Sequence, residues 1–249
     1  MPRLSGIRLS VSNPAELANF YVDYLGMTAT QDGEKWRVGY PGSDADLIFL
    51  PGGAPYSHSR ADDYWKIGIT LPNVDIAHAQ LTDAGIDVST PNQFRDIGYM
   101  CHLSDPAGFQ IELLQHDFAP NRPMSAGNAR LPLGGGAVIG QVTLRSGENV
   151  TLPAPYADLG LRRLSVQPVR DLGFTLHFWA FTSDAPPNPD LEALENREWL
   201  WRRPYTTLEI QSVDGLNPRP NPAYGGLEVE GASDALKSAL TDQNRVYFT

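Results

Sequence analysis

Four segments of the chain start alike: GIRLSV at 6–11, KIGITL at 66–71, QVTLRS at 141–146 and, in weaker form, GLEVE at 226–230. In each, aliphatic residues alternate with small, polar or charged ones, the period-2 signature of a strand with one buried face and one wetter face. The first three starts recur at intervals of about 60 to 75 residues, and a unit repeated on that scale must bury its apolar face against other copies of itself. The repeat therefore constrains the fold more tightly than any composition figure.

Each strand start leads into a helix signature. In the first unit Asn13 caps, Pro14 suits the first helical position and Glu16 completes a capping box; Leu17, Phe20, Tyr21, Tyr24 and Leu25 make one apolar stripe that ends at Gly26. The second unit repeats the plan with Asn73 as cap, Val74, Ala77, Leu81 and Ala84 on one face, and Gly85 as the stop. In the third, residues 155–161 echo 20–27 with one residue missing, but Pro153 and Pro155 should shorten or break a helix. A meander follows each helix, at 36–40 and 47–50, at 99–103 and 109–114, and at 174–181 and 206–211. The tetrapeptide 105–108, Asp-Pro-Ala-Gly, is a tight-turn signal. The fourth unit has a helix at 232–240 and only 246–249 left for strands.

These elements predict an α+β chain of tandem βαβββ modules with an incomplete fourth. The Pro-, Gly- and Asn-rich stretch near 119–136 divides it into an N-terminal domain at 1–117 (modules 1 and 2), a linker at 118–137 and a C-terminal domain at 138–249 (module 3 and the degenerate module 4). A second proline-rich, acidic loop at 183–196 is expected to cover a surface or a cavity mouth.

A formal charge of -10 repels phosphate and argues against nucleic acid or an anionic membrane as partner. No apolar run reaches the roughly 18–20 residues of a spanning helix, and the N-terminus lacks the apolar core of a signal peptide, so a cytoplasmic location is expected. The single cysteine, Cys101, reads as a small buried hydrophobe. Phosphate loops, nucleophile elbows and paired-cysteine metal motifs do not occur. The five histidines occupy helix, loop or core-strand positions, and Trp179, Trp199, Trp201 and Tyr205 read as packing aromatics in strands.

The strand, then FYVDYLGM at 20–27, then a meander closed by DPAGFQIEL at 105–113, resembles the recurrent module of the vicinal oxygen chelate superfamily, whose members include glyoxalase I, extradiol dioxygenases and bleomycin-resistance proteins. The resemblance covers 4–117 well, 138–212 moderately and the rest poorly. It implies two cupped, mostly antiparallel sheets, each built from two modules. It also implies a divalent metal (Ni, Zn or Fe) held between the first and last strands of paired modules, with open positions for a substrate carrying two adjacent oxygens.

Carried over residue by residue, the first-strand ligand position falls on Gly6, Lys66, Gln141 and Gly226. The last-strand position falls near Ile48, on Glu112 and on Glu209, and is absent in the fourth module. Gln141, and Arg145 four residues on, are similar to the metal glutamine and glutathione-contacting arginine of glyoxalase I. If modules 2 and 3 pair, Glu112, Gln141 and Glu209 are the implied metal ligands, Glu209 or Glu112 the base, and Arg145 and Lys66 the substrate contacts. If the pairs are instead 1 with 2 and 3 with 4, no cup keeps more than two ligands. Lys66 stands where a histidine is expected. A protonated ammonium cannot ligate, so it must lose its proton, swing away or replace the metal electrostatically.

The leading expectation is a glyoxalase-like lyase or isomerase acting on a small oxygenated metabolite or its thiol adduct through a metal-stabilised enediolate. The alternatives are a metal-free small-molecule binding or resistance protein and, last, an extradiol-type dioxygenase, for which no two histidines occupy suitable strand positions. Sheet edges left open by the eroded fourth module suggest a homodimer.

Overall fold

The structure, a computed structural model, describes residues 1–127, 130, 132–154, 156–239 and 245–249. The first unit forms β1 (Arg3–Ser10), α1 (Pro14–Asp23), β2 (Thr28–Asp32), β3 (Lys35–Gly39) and β4 (Asp46–Leu50). The second forms β5 (Tyr64–Leu71), α2 (Val74–Asp83), β6 (Asn92–Phe94), β7 (Gly98–Ser104) and β8 (Gln110–Gln115). The third forms β9 (Val138–Gly147), β10 (Arg162–Val169), β11 (Phe174–Ala180), α3 (Glu195–Trp201) and β12 (Thr207–Val213). The fourth contributes β13 (Tyr224–Glu230), α4 (Asp234–Ala239) and β14 (Val246–Phe248). The expected Pro155 and Leu240 ends of their segments lie outside the described residues.

The predicted helix starts form as read. Asn13 Oδ1 accepts from the Glu16 amide while Glu16 Oε2 accepts from Asn13 Nδ2, and Asn73 Oδ1 accepts from the Ile76 amide. α1 buries Leu17, Ala18, Phe20 and Tyr21 on its apolar stripe. The third unit keeps only a 3-10 turn, Tyr156–Leu159, at the corresponding place, with Pro153 before it. Two features differ from expectation. The strands β2, β6 and β10 were not foreseen. The segment carrying Trp199 and Trp201 is the helix α3 rather than a strand. No side chain caps α3, and it spans 7 residues, so only its neighbours hold it: Arg197 pairs with Asp96, and Glu198 accepts from the Phe118 amide.

Two mixed sheets result. The six-stranded sheet runs β14-β13-β1-β4-β3-β2 and the eight-stranded sheet β10-β11-β12-β9-β5-β8-β7-β6. Modules 1 and 4 thus share one sheet through the antiparallel pair β1–β13, and modules 2 and 3 share the other through β5–β9. The alternative pairing of 1 with 2 and 3 with 4 is overturned, because each sheet takes strands from both sides of 118–137. One apolar cluster runs through both, including Ile7 and Leu227 of the first sheet and Ile67, Ile111, Val142 and Ile210 of the second. Cys101 is buried in it. No described helix is long and apolar enough to cross a membrane.

The 105–108 turn ties helix to sheet. Buried Asp105 accepts from the amides of Ala107 and Phe109 at 3.0 and 2.9 Å, and from the Tyr21 hydroxyl of α1 at 2.9 Å. Asp105→Ala strands these donors, and a buried unpaired donor costs about 1–3 kcal/mol. We expect a loss of about 3 kcal/mol of stability, read as a lower urea midpoint with unchanged m; a change within ±0.5 kcal/mol would show that the turn does not need its aspartate.

Candidate functional site

The register of β5 against β9 decides what meets on the inner face of the eight-stranded sheet. Lys66 lies opposite Thr143 and Gly68 opposite Gln141, which puts Lys66 and Gln141 at equivalent places on two antiparallel strands. The parallel neighbours obey the same relation: Glu112 of β8 sits beside Gly68, and Glu209 of β12 beside Thr143. Four of the five expected site residues, Lys66, Glu112, Gln141 and Glu209, therefore converge on one floor, each at most 5% exposed. Gly68 makes the convergence feasible. A Cβ there would stand 2.3 Å from Gln141 Cγ, so the Gln141 side chain lies across the space that a larger residue would fill.

Lys66 Nζ is 2.7 Å from Glu112 Oε1 and 3.4 Å from Glu209 Oε2. Gln141 Nε2 donates to Glu112 Oε1 at 2.8 Å, Thr143 Oγ1 donates to Glu209 Oε2 at 2.6 Å, and His102 Nε2 is 3.0 Å from Glu112 Oε2. Arg145, on the same face of β9, donates to Gln211 Oε1 and to the Ser59 carbonyl, and its guanidinium lies 4.5 Å from the centre of the Trp65 ring. Among the described residues no carboxylate forms an ion pair with Arg145. His102 was missed in the sequence because it was placed on a core strand. The signal was its register, since it faces Glu112 across β7–β8.

Burial alone would strip the proton from Lys66, but Glu112, then Glu209, outweigh it and raise its pKa, so the ammonium stays charged. Burial would likewise raise Glu112, but the Lys66 charge and the His102 contact depress it to about 2. Glu209 goes the other way: burial and, further down, the Glu112 charge raise its pKa against the pull of Lys66. The floor thus holds one firmly ionised carboxylate, one ammonium and one carboxyl able to carry a proton. Burial lowers Arg145 to about 10, which leaves it cationic at neutral pH.

These side chains form the polar end of a cavity of about 580 Å³. Phe94, Ile97, Met100 and Leu114 line one wall, and Phe174, Leu176, Phe178 and Val213 the other. α3 closes the two walls together: Trp201 reaches the cavity, packs edge-on against Phe178 at 5.2 Å and donates to the Ile97 carbonyl. Across the rim Arg95 pairs with Asp171. None of the residues that line the cavity comes from the 183–196 loop, which was expected to cover a surface or a cavity mouth; the helix that this loop leads into supplies Trp201 instead.

The implied metal fits this floor poorly. Among the described residues no three His, Cys, Asp or Glu side chains are grouped to hold an ion, and the ammonium of Lys66 already lies between the two carboxylates. Unit charges 4 Å apart at an effective dielectric near 20 interact by about 4 kcal/mol, so a dication there would meet roughly twice that as repulsion from Lys66. The other sheet offers still less. Gly6 and Gly226 carry no ligand, Ile48 Cδ1 would lie 2.4 Å from a Cβ on Gly6, and Glu228 is held by Arg8 and Arg37.

The two carboxyls have opposite linkage. Glu112, depressed when folded, adds stability above its unfolded pKa of about 4.3 that is lost as pH falls toward 2. Glu209, raised when folded, adds stability at low pH that is lost as pH rises through its folded value. Stability is expected to rise on acidification from neutrality and to fall below about pH 4.3. Glu209→Gln should flatten the first arm and Glu112→Gln the second, as read by urea unfolding across pH; unchanged slopes in both variants would refute the assignment.

Comparison with known proteins agrees with this architecture. A model of the Glyoxalase/Bleomycin resistance protein/Dioxygenase superfamily matches residues 3–113. The uncharacterized protein PA2024 of Pseudomonas aeruginosa is 29% identical over 143 residues, covering 53% of this chain and 98% of that protein. Among solved structures, glyoxalase I from Zea mays superposes with a TM-score of 0.68 at 15% identity, covering 96% of this chain and 78% of that one. A putative dioxygenase from Bacillus subtilis gives 0.55 at 14% identity, covering 95% and 72%. The match to the Glyoxalase/Bleomycin resistance protein/Dioxygenase superfamily is confined to residues 3–113, and the chain as a whole has the fold of glyoxalase I.

Proposed function

We propose that the eight-stranded cup binds a small, largely apolar molecule through an anionic oxygen-bearing head, and that it does so without a metal. The observation that carries this reading is Arg145: a buried guanidinium, charged at neutral pH, with no carboxylate partner among the described residues, at the polar end of an otherwise apolar cavity. An unpaired buried charge is costly, and a ligand anion supplies what is missing. Lys66 lies alongside as a second donor. The walls contributed by Phe94, Phe174, Phe178 and Trp201 suit an aromatic or branched body.

The chemistry implied by the resemblance, a metal-stabilised enediolate with Gln141, Glu112 and Glu209 as ligands, requires Lys66 to leave the place it occupies. The ring-cleaving alternative requires two histidines and a carboxylate, and His102 is the one histidine among the residues that line the cavity. A metal-free cup asks for neither change. Should a bound substrate carry an acidic C–H bond, Glu209 is the group placed to exchange that proton, because both of its contacts fall on Oε2 and leave Oε1 available.

The probe is 1-anilinonaphthalene-8-sulfonate, an apolar body with an anionic head. Saturable one-site fluorescence enhancement is expected, weakened about tenfold or more in Arg145→Leu, since a hydrogen bond to a charged group contributes about 1.5–3 kcal/mol. It should vanish in Leu176→Trp, which fills the cavity. Binding should tighten as pH falls through the raised pKa of Glu209, because protonation removes a negative charge facing the anion, and Glu209→Gln should remove that dependence. Affinity indifferent to both Arg145→Leu and Leu176→Trp, with circular dichroism unchanged, would refute the reading.

A further inference from the structure

We infer that Lys66 is a tethered cation occupying the position of a metal ion, so that the cup excludes divalent metals as it stands and becomes a metal site when this one side chain is exchanged for an uncharged ligand. The inference rests on the metal-free reading of the cup but not on the identity of the ligand.

Three observations on the floor support it. First, Nζ lies within 3.4 Å of carboxylates from two different strands, β8 and β12, which are related by the β5–β9 register rather than adjacent in sequence. Second, Gln141 contributes an oxygen with nothing to bind. Its Nε2 donates to Glu112, which fixes the orientation of the amide, and leaves Oε1 buried with no hydrogen-bond partner among the described residues. A buried amide oxygen beside two carboxylates is the donor set of a hard or borderline cation, and here an ammonium fills the place. Third, the amide is held there by the missing side chain of Gly68, so the oxygen is built into the floor rather than swung in by chance.

The other sheet solves the same electrostatic problem in the same way. Glu228, 3% exposed, lies opposite Gly6 and is met by Arg8 at 2.9 Å and Arg37 at 2.5 Å, with the Arg8 guanidinium 3.6 Å from the centre of the Tyr247 ring. Both sheets therefore neutralise an inner carboxylate with a cation that belongs to the chain. In the six-stranded sheet, where Gly6, Ile48 and Gly226 offer no metal donor, Arg8 and Arg37 supply the positive charge. In the eight-stranded cup Gln141, Glu112 and Glu209 are all present, and Lys66 supplies the charge.

The test titrates nickel and zinc into wild type, Lys66→His and Lys66→Gln, each with and without Glu209→Gln, by calorimetry and by metal content after gel filtration. Wild type is expected to retain no metal that depends on Glu209. Lys66→His is expected to retain one equivalent, at least about tenfold more tightly than wild type, with a rise in Tm on adding metal that wild type lacks. Adding Glu209→Gln should remove both effects. If a Lys66 variant is unfolded without metal, recovery of its circular dichroism spectrum on adding nickel supports the inference, and no recovery counts against it. Stoichiometric metal in wild type that is lost in Glu209→Gln would overturn it, as would folded Lys66 variants that ignore metal. Failure of the anionic probe to bind would refute the ligand reading alone and leave these outcomes untouched.

Discussion

The antiparallel pairing of β5 with β9 is the contact on which the site depends. Neither module 2 nor module 3 has a complete floor: one brings Lys66 and Glu112, the other Gln141, Thr143, Arg145 and Glu209. A shift of one residue between these strands would put the module 2 and module 3 side chains on opposite faces, because strand side chains alternate with period two. What holds the register is the apolar set on the other face, Ile67, Ile69, Val142 and Ile139, which has only one buried solution. Packing on one side of the sheet thus fixes chemistry on the other.

The floor also shows how a fold shared with glyoxalase I accommodates different electrostatics. Two carboxylates brought together in a dry place need a cation, since isolated buried charges cost several kcal/mol each even after relaxation. A bound ion and a lysine both meet that need, but they leave different properties. An ion brings open coordination positions. A lysine brings one fixed charge and hydrogen-bond donors, and its asymmetric placement, closer to Glu112 than to Glu209, separates the pKa values of the two carboxyls. Environment, rather than residue type, gives the two glutamates different roles.

Above this floor the cavity is closed by parts that do not belong to the repeat. α3 is short, uncapped by any side chain and rich in tryptophan, and it exists because Arg197 and Trp201 find partners in module 2 and Glu198 finds one at the start of the linker. Its sequence carried no period or cap from which a helix could be read, so Trp199 and Trp201 looked like strand aromatics. His102 was passed over for a related reason: its role comes from a cross-strand neighbour, and single-strand patterns do not report neighbours.

Only the resemblance to the vicinal oxygen chelate module marked Lys66 as out of place; the sequence alone made this protein legible as α+β repeats with helices capped at Asn13 and Asn73, a turn at Asp105, and polar faces on the strands of Gln141 and Glu209. These are local properties, set by periodicity, capping and turn chemistry within a few residues. Which strands share a sheet was decided only by the tertiary structure, because the pairings 1 with 4 and 2 with 3 join segments far apart in the chain and satisfy the same local pattern as any other pairing. The resting place of Lys66 was decided there too: an ammonium is drawn to two carboxylates only once folding has buried all three together.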